Sequence, residues 1–120
     1  MLLNELLNAV EVIDAYLDSH RNPEFLEQPL ANDWARITKV CEESGEVWKE
    51  LSGLTGENYR KGICGTEEKL LGELADCVAS AMCAIQHRTK DIGKTWAVVS
   101  AAFAKAMQRL NDAEAMDATP

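Results

Sequence analysis

Residues 66–87 read TEEKLLGELADCVASAMCAIQH, and this stretch decides the fold. From Leu71 to Ile85 its apolar residues recur every three or four positions, which is the period of a helix with one apolar face. Thr66 is followed by two acids, a typical helix start, because a hydroxyl caps the first turn and carboxylates favour the positive end of the helix dipole. We therefore predict a helix from Thr66 to about His87.

Three more helices are predicted around this one, and no segment has the alternation typical of a strand. They cover residues 2–19, residues 32–51 with Asn32 or Asp33 as the cap, and residues 92–110 with Asp91 as the cap. Residues 20–31 hold two of the three prolines and are predicted to be a connector, and residues 53–66 hold four of the seven glycines and are predicted to be a loop. Residues 111–120 lack a continuous apolar stripe, so we predict a frayed tail.

Four helices joined by short links predict an all-α, four-helix bundle-like fold. With 120 residues, of which 47% are apolar, the chain is long enough for one domain with its own core. We place that domain at residues 1–112, with residues 113–120 as a flexible tail. Trp34, Trp48 and Trp96 lie on the predicted helices, and we expect them to be buried in the bundle.

Charge and composition exclude several classes of function. Twelve Lys and Arg residues stand against 20 Asp and Glu residues, a net charge of −8, so the chain as a whole offers no basic surface for nucleic acid or anionic lipid, and a polyanionic partner would need metal ions or a local basic patch. The N-terminus has no signal-peptide pattern, and the apolar stretch from Leu74 to Ile85 is interrupted by Asp76 and too short to span a bilayer. The four cysteines form no Cys-x-x-Cys pair, so we expect reduced, buried thiols rather than a zinc site. We therefore expect a cytoplasmic protein with no membrane and no nucleic-acid partner.

Acidic residues are concentrated between positions 42 and 76, where nine acids and four bases give a net charge of −5. Glu43 and Glu46 are three positions apart, as are Glu73 and Asp76, so each pair points to one side of its helix. Small residues surround the second pair, and burying several carboxylates there is costly unless a cation neutralises them. Such all-oxygen ligands suit Mg²⁺ or Mn²⁺. A solvated acidic face is the alternative interpretation of these residues.

The complete pattern resembles the signature of a known family. It consists of Glu42-Glu43-x-x-Glu46, a gap of 26 residues, and Glu73-x-x-Asp76. This is similar to the E-E-x-x-E and E-x-x-D motifs of the MazG-like nucleotide pyrophosphohydrolases, a group within the all-α nucleoside triphosphate pyrophosphatases. The sequence TGENYRKG at residues 55–62 is similar to the linking loop of a small MazG-like subgroup. The resemblance covers about residues 32–88.

The resemblance implies a nucleoside triphosphate pyrophosphohydrolase that depends on Mg²⁺ or Mn²⁺ and serves to clean the nucleotide pool. The implied metal ligands are Glu43, Glu46, Glu73 and Asp76. The implied catalytic residues are Glu42, Glu46 and Asp76. We expect the triphosphate substrate to contact basic and aromatic side chains of the loop and the flanking helices: Lys39, Tyr59, Arg60, Lys61 and Lys105. Arg109 stands where the family has an Asn, so the recognised base stays unassigned.

Two other classes of function are compatible with the motifs. A non-catalytic helical module for oligomerisation or regulation would keep the fold and would lose nothing if Glu73 or Asp76 were replaced. A different phosphoester hydrolase would share the metal ions but not the substrate. A di-iron bundle requires Glu-x-x-His motifs, which this sequence does not provide at either acidic motif.

The apolar patterning also predicts an assembly. Helix two carries both an apolar and an acidic stripe, and helix three is apolar around most of its circumference. A single four-helix chain would therefore leave a large apolar surface exposed. We expect a homodimer or homotetramer with helices two and three near the interface and Lys105 facing the neighbouring chain's acids.

Overall fold

The computed structural model describes residues 2–20 and 29–118. Within these ranges it contains four helices and no strand: α1 (Leu3–Ser19), α2 (Pro29–Thr55), α3 (Glu67–Thr89) and α4 (Ile92–Asp117). The predicted all-α, bundle-like fold is confirmed. None of these helices combines the length and the apolar character that crossing a bilayer requires.

Helices α2 and α3 form an antiparallel hairpin that is held at both ends. The start of α2 lies beside the end of α3, where Arg88 Nη1 donates to Asp33 Oδ2 at 2.7 Å. The end of α2 lies beside the segment before α3, where Cys64 N donates to Gly53 O at 2.9 Å. Helix α1 packs on α3, and α4 folds back onto α3 and α1.

Two of the predicted caps lie at the ends of the links around α3. Thr66 Oγ1 accepts a hydrogen bond from Lys69 N at 3.2 Å, and Asp91 Oδ1 accepts one from Lys94 N at 3.0 Å. Between α3 and α4 the chain passes through Lys90, which has a left-handed φ of 53°. This conformation ends α3 and turns the chain back, so that α4 begins at once on the other side.

The apolar core is small and lies where α1, α3 and the first half of α4 meet. Val10, Met82 and Cys83 are buried there, and partly buried Leu7, Ile92 and Val99 pack around them. All four cysteines are free, as predicted, but only Cys83 is buried, because Cys41 and Cys64 lie on exposed surfaces.

A network of charged side chains ties α1 to the hairpin beside this core. The carboxylate of Asp14 on α1, only 4% exposed, lies 3.2 Å from Arg36 Nη2 on α2 and 2.7 Å from Lys90 Nζ after α3. Both cations also bind Asp18, one turn further along α1. Burial alone would raise the pKa of Asp18, but the hydrogen bond and charge of Lys90, with the charges of His87 and Arg36, outweigh it and lower that pKa below its usual value.

Three predicted helix boundaries are wrong. Helix α2 begins at Pro29, three residues before the first predicted cap. Asn32 is buried inside the helix, and Asp33 bonds Arg88 of α3 instead of capping the first turn of α2. The same helix reaches Thr55, so residues 53–55 belong to it rather than to the loop. Helix α4 continues past Leu110 to residue 117, since alanine and glutamate favour helix without tertiary contacts. Residues 21–28 of the predicted connector and 119–120 of the tail lie outside the described residues.

Apolar side chains are widely exposed in the single chain. The expectation that Trp34, Trp48 and Trp96 are buried is wrong, since their exposed fractions are 72%, 61% and 38%. The predicted apolar stripe of α3 is covered at Met82 but open to solvent from Leu71 to Val78, where no described element packs over it. The buried apolar side chains therefore lie at one end of the hairpin, around Met82 and Cys83.

Replacing Asp14 tests whether this network holds α1 in place. Asp14→Ala removes the most buried anion of the network and leaves Arg36 and Lys90 with Asp18 as the carboxylate they still share, so we expect a loss of about 1–3 kcal/mol in the free energy of unfolding. Urea denaturation followed by circular dichroism measures this loss. Asp112→Ala, at an exposed carboxylate on α4, is the control and should change stability by less than about 0.5 kcal/mol. Equal effects of the two substitutions would contradict the role of the network.

Candidate metal centre

The antiparallel hairpin brings the two acidic motifs together. Glu43 on α2 and Glu73 and Asp76 on α3 each offer a carboxylate oxygen, and these oxygens all lie within 4.8 Å of one another. Glu43 is 8% exposed, Glu73 is half-buried and Asp76 is exposed. The cluster is therefore buried at Glu43 on α2 and open to solvent at Asp76 on α3.

Negative charge is concentrated in this cluster. The pKa of Glu73 is raised above its ordinary value, first by the loss of solvation and then by the charges of Asp76, Glu46, Glu43 and Glu50. Glu46 and Glu50 follow Glu43 at intervals of three and seven residues, so they line the same side of α2. The donor set is oxygen only and carries several negative charges, which fits a hard divalent cation.

One lysine already neutralises part of this charge. Lys39 Nζ lies 2.6 Å from Glu43 Oε1 and 3.2 Å from Glu42 Oε1. The hydrogen bonds to Glu43 and Glu42 raise the pKa of Lys39 above its usual value. Lys39 was predicted to bind substrate, whereas here its ammonium group pairs with the acids of the first motif.

The remaining predicted site residues lie at different places relative to the three carboxylates. The Glu42 carboxylate is largely exposed beside Lys39, and Glu46 Oε2 lies 3.7 Å from Lys49 Nζ. Tyr59, Arg60 and Lys61 are exposed in the loop between the motifs. Lys105 lies on the part of α4 in which every residue from 101 to 118 is exposed, and no described hydrogen bond or ion pair links it to the carboxylates.

A cavity that the sequence analysis missed adjoins the carboxylates. It is open to solvent, has a volume of about 560 Å³ and is lined by the end of α2, the loop and the start of α3. Three lysines line it, Lys49, Lys61 and Lys69, of which only Lys61 was singled out. Glu50 lines the cavity, and its charge also contributes to the raised pKa of Glu73. Glu50 therefore lies at the border between the cavity and the carboxylates. Lys49 and Lys69 each lie one helical turn from an acidic motif, and this spacing is the sequence feature that could have predicted their place beside the carboxylates.

Close glycine contacts hold the cavity wall against α2. A Cβ on Gly65 would lie 2.7 Å from Glu50 O and 2.8 Å from Leu54 N, so only glycine permits this approach. Gly53 faces it from α2, where a Cβ would lie 3.0 Å from Gly65 N. The loop therefore leaves α2 and enters α3 in one defined register, and that register sets the carboxylates opposite one another.

A second group of potential ligands is already occupied by cations. Oxygen or nitrogen atoms of Asp14, Asp18 and His87 also lie within 4.8 Å of one another. Arg36 and Lys90 bind both carboxylates of this group, so its negative charge is neutralised by the chain itself. This group therefore belongs to the network that holds α1, and the carboxylates of α2 and α3 are the candidate metal centre.

A substitution at Gly65 tests the contact that sets the register of the loop. Gly65→Ala places a methyl group against the backbone of α2, so we expect a loss of about 1–3 kcal/mol in the free energy of unfolding. Gly72→Ala is the matched control, because nothing lies within 4 Å of a Cβ at this helical position and alanine favours helix by about 1 kcal/mol. Thermal and urea unfolding of the two variants should shift in opposite directions, and a stabilised Gly65→Ala variant would rule out the contact.

The repulsion at Glu73 predicts a pH-dependent gain in stability on removing its charge. Because the folded pKa of Glu73 lies above its ordinary value of 4.5, the group contributes stability below that pH and loses it as the pH rises through the folded pKa. Glu73→Gln should therefore raise the Tm of the metal-free protein at neutral pH, with a difference that shrinks below pH 4.5. Scanning calorimetry across this range measures it, with Glu114→Gln on exposed α4 as the control. A Tm lowered at neutral pH would contradict the repulsion.

Three carboxylates of the two acidic motifs thus converge beside a cavity lined by lysines. No protein-family model matches the chain, and no curated protein and no solved structure is significantly similar to it.

Proposed function

We propose that this protein is a Mg²⁺-dependent nucleoside triphosphate pyrophosphohydrolase of the MazG-like kind that its motifs resemble. The observation that carries the proposal is the meeting of Glu43, Glu73 and Asp76 within 4.8 Å, across a gap of 29 residues between Glu43 and Glu73. The products would be a nucleoside monophosphate and pyrophosphate. The four free cysteines fit a reducing compartment, and we infer a cytoplasmic location.

Each residue of the cluster has a defined task in this proposal. Glu43, Glu73 and Asp76 would hold Mg²⁺ or Mn²⁺, and Glu46 stands one turn beyond Glu43 to complete the set. A divalent cation supplies charge neutralisation at the phosphate oxygens and a lowered pKa for a bound water. Glu42 remains the residue proposed to orient that water, and the buried position of Glu43 fixes the floor against which the other carboxylates are arranged.

We further propose that the protein works as a homodimer or homotetramer. Trp34, Ile37, Trp48 and Leu51 are exposed on α2 at intervals of three, eleven and three residues, which places them along one side of the helix. On α4 the apolar residues Phe103, Met107 and Leu110 are exposed as well. Most of the stability of a helix in a protein comes from the packing of its apolar face, so a partner that covered this face would stabilise α4. The second function kept open, a non-catalytic oligomerisation module, is favoured by the same exposed faces.

Turnover by variants of the acidic motifs separates an enzyme from a scaffold. Asp76→Ala and Glu46→Ala should each reduce pyrophosphate release by about 100-fold or more, because even outer residues of metal sites cost about 10–100-fold. The assay uses a panel of canonical and damaged nucleoside triphosphates with Mg²⁺. Circular dichroism should show unchanged helical content, and Asp112→Ala serves as the control. Undiminished turnover of either variant would remove that residue from the mechanism, and no turnover of any substrate by the native protein would favour the scaffold.

Sedimentation tests the assembly. We expect a mass of at least twice the 13.2 kDa of one chain at micromolar concentration. Phe103→Glu should shift the distribution toward the monomer, because a charge would be buried in the proposed contact. Glu114→Lys, an exposed change of charge on the same helix, is the control. An active 13.2 kDa monomer would overturn the proposed oligomer.

A further inference from the structure

We propose that the lysine-lined cavity beside the carboxylates binds the two terminal phosphates of the substrate, and then the pyrophosphate product. This inference rests on the proposed function, because it assigns the part of the nucleotide that lies next to the reacting phosphorus. The cavity is the concave space between the end of α2, the loop and the start of α3, and Lys49, Lys61 and Lys69 are its cationic groups.

The charge of the cavity is opposite to that of the protein. The chain carries a net charge of −8, whereas the cavity lining combines three lysines with two acids, Glu50 and Glu57. Glu57 is engaged within the wall, since Ser52 Oγ donates to its Oε2 at 2.8 Å. A positively charged recess in an acidic protein attracts anions and leaves the rest of the surface repulsive to them.

Within the described residues, two of the three ammonium groups have no carboxylate partner. Lys61 and Lys69 form no ion pair with any residue in the parts of the chain that are described. Lys49 Nζ forms an ion pair with Glu46 Oε2 at 3.7 Å, but this pair is exposed and therefore weak, so a phosphate can replace Glu46 as the partner of Lys49. Each ammonium carries three donors. A diphosphate group presents the oxygens that can accept from all three lysines.

The wall that carries Lys61 is built by hydrogen bonds. The amides of Lys61 and Gly62 both donate to Asn58 O, at 3.0 and 3.1 Å, and the amide of Arg60 donates to Asn58 Oδ1 at 3.2 Å. Together with the close contact of Gly65 with α2, these bonds fix the loop as one side of the cavity. The recess is thus present before a ligand arrives, which reduces the entropy lost on binding.

The cavity lies where the terminal phosphates of a substrate would extend from a phosphate held at the carboxylates. Lys69 precedes Glu73 by one helical turn, and Lys49 follows Glu46 by one turn. In the hydrolysis, the oxygen of water bonds to the α-phosphorus while the bond from that phosphorus to the bridging oxygen breaks. The bridging oxygen leaves with pyrophosphate, and the protons of the water pass to the products and the solvent. Lysines that contact the departing group would stabilise the charge it gains.

Binding of inorganic pyrophosphate, measured by titration calorimetry, tests the inference. Lys61→Gln and Lys69→Gln should each weaken this binding by about tenfold, and the double variant should weaken it further. The matched control is Lys94→Gln, an exposed lysine on the first turn of α4, which should bind as the native protein does. The Tm increase caused by Mg²⁺ alone should be the same in all these variants, which shows that the carboxylates and the fold are intact.

The outcomes separate this inference from the proposed function. Weakened pyrophosphate binding in the lysine variants supports the cavity as an anion site, even if no nucleoside triphosphate is hydrolysed and the proposed function fails. Native-like pyrophosphate binding by the double variant overturns the inference, even if hydrolysis is found. Weaker binding of an uncharged nucleoside with unchanged pyrophosphate binding would also overturn it, because the cavity would then hold the base.

Discussion

The structure depends on one buried carboxylate, that of Asp14. Its neighbours Arg36 and Lys90 come from α2 and from the turn after α3, so a single anion connects three parts of the chain. A buried ion pair adds little stability over apolar packing of the same volume, but an unpaired member is costly. With an apolar core as small as Val10, Met82 and Cys83, this requirement selects one position of α1 on the hairpin. At the other end of the hairpin, the close contact of Gly65 with α2 fixes the position of the loop in the same way. Between these two fixed points, the carboxylates of α2 and α3 lie opposite one another.

The sequence predicts well the features that are local. The period of apolar residues identifies each helix, and Thr66 and Asp91 cap the helices they precede, each accepting a hydrogen bond from the amide three residues further on. Asp33 has the same capping chemistry, yet His87 and Arg88 bind it from 54 and 55 residues away. No local pattern contains such a partner, so the start of α2 was predicted incorrectly. The end of α4 was missed for the opposite reason, since helix propensity extends it where no packing stripe is needed.

The convergence of Glu43, Glu73 and Asp76 follows from similar local rules, whereas Glu46, predicted as a fourth ligand, is not among the residues whose oxygens lie within 4.8 Å of one another. Motif spacing places Glu43 and Glu46 on one side of their helix and Glu73 and Asp76 on one side of theirs, and an antiparallel hairpin is enough to bring the helices together. The lysine cavity required more, because its lining comes from two helix ends and from a loop held by Asn58 and Gly65. The role of Lys39 was also not evident, since a lysine four residues before Glu43 can face substrate or acid equally well until the side chain is placed.

The lysine cavity and the exposed apolar side of α2 meet at one residue. Trp48 belongs to the exposed apolar side of α2, and it also lines the lysine cavity. In the proposed oligomer, a neighbouring chain that covered this side of α2 would also stand at the mouth of the cavity. Ion pairing between lysine and phosphate strengthens as water is excluded and the local dielectric falls. The apolar surface that a single chain leaves uncovered would then serve the chemistry as well as the assembly, because the same contact that buries Trp48 would enclose the anion beside the carboxylates.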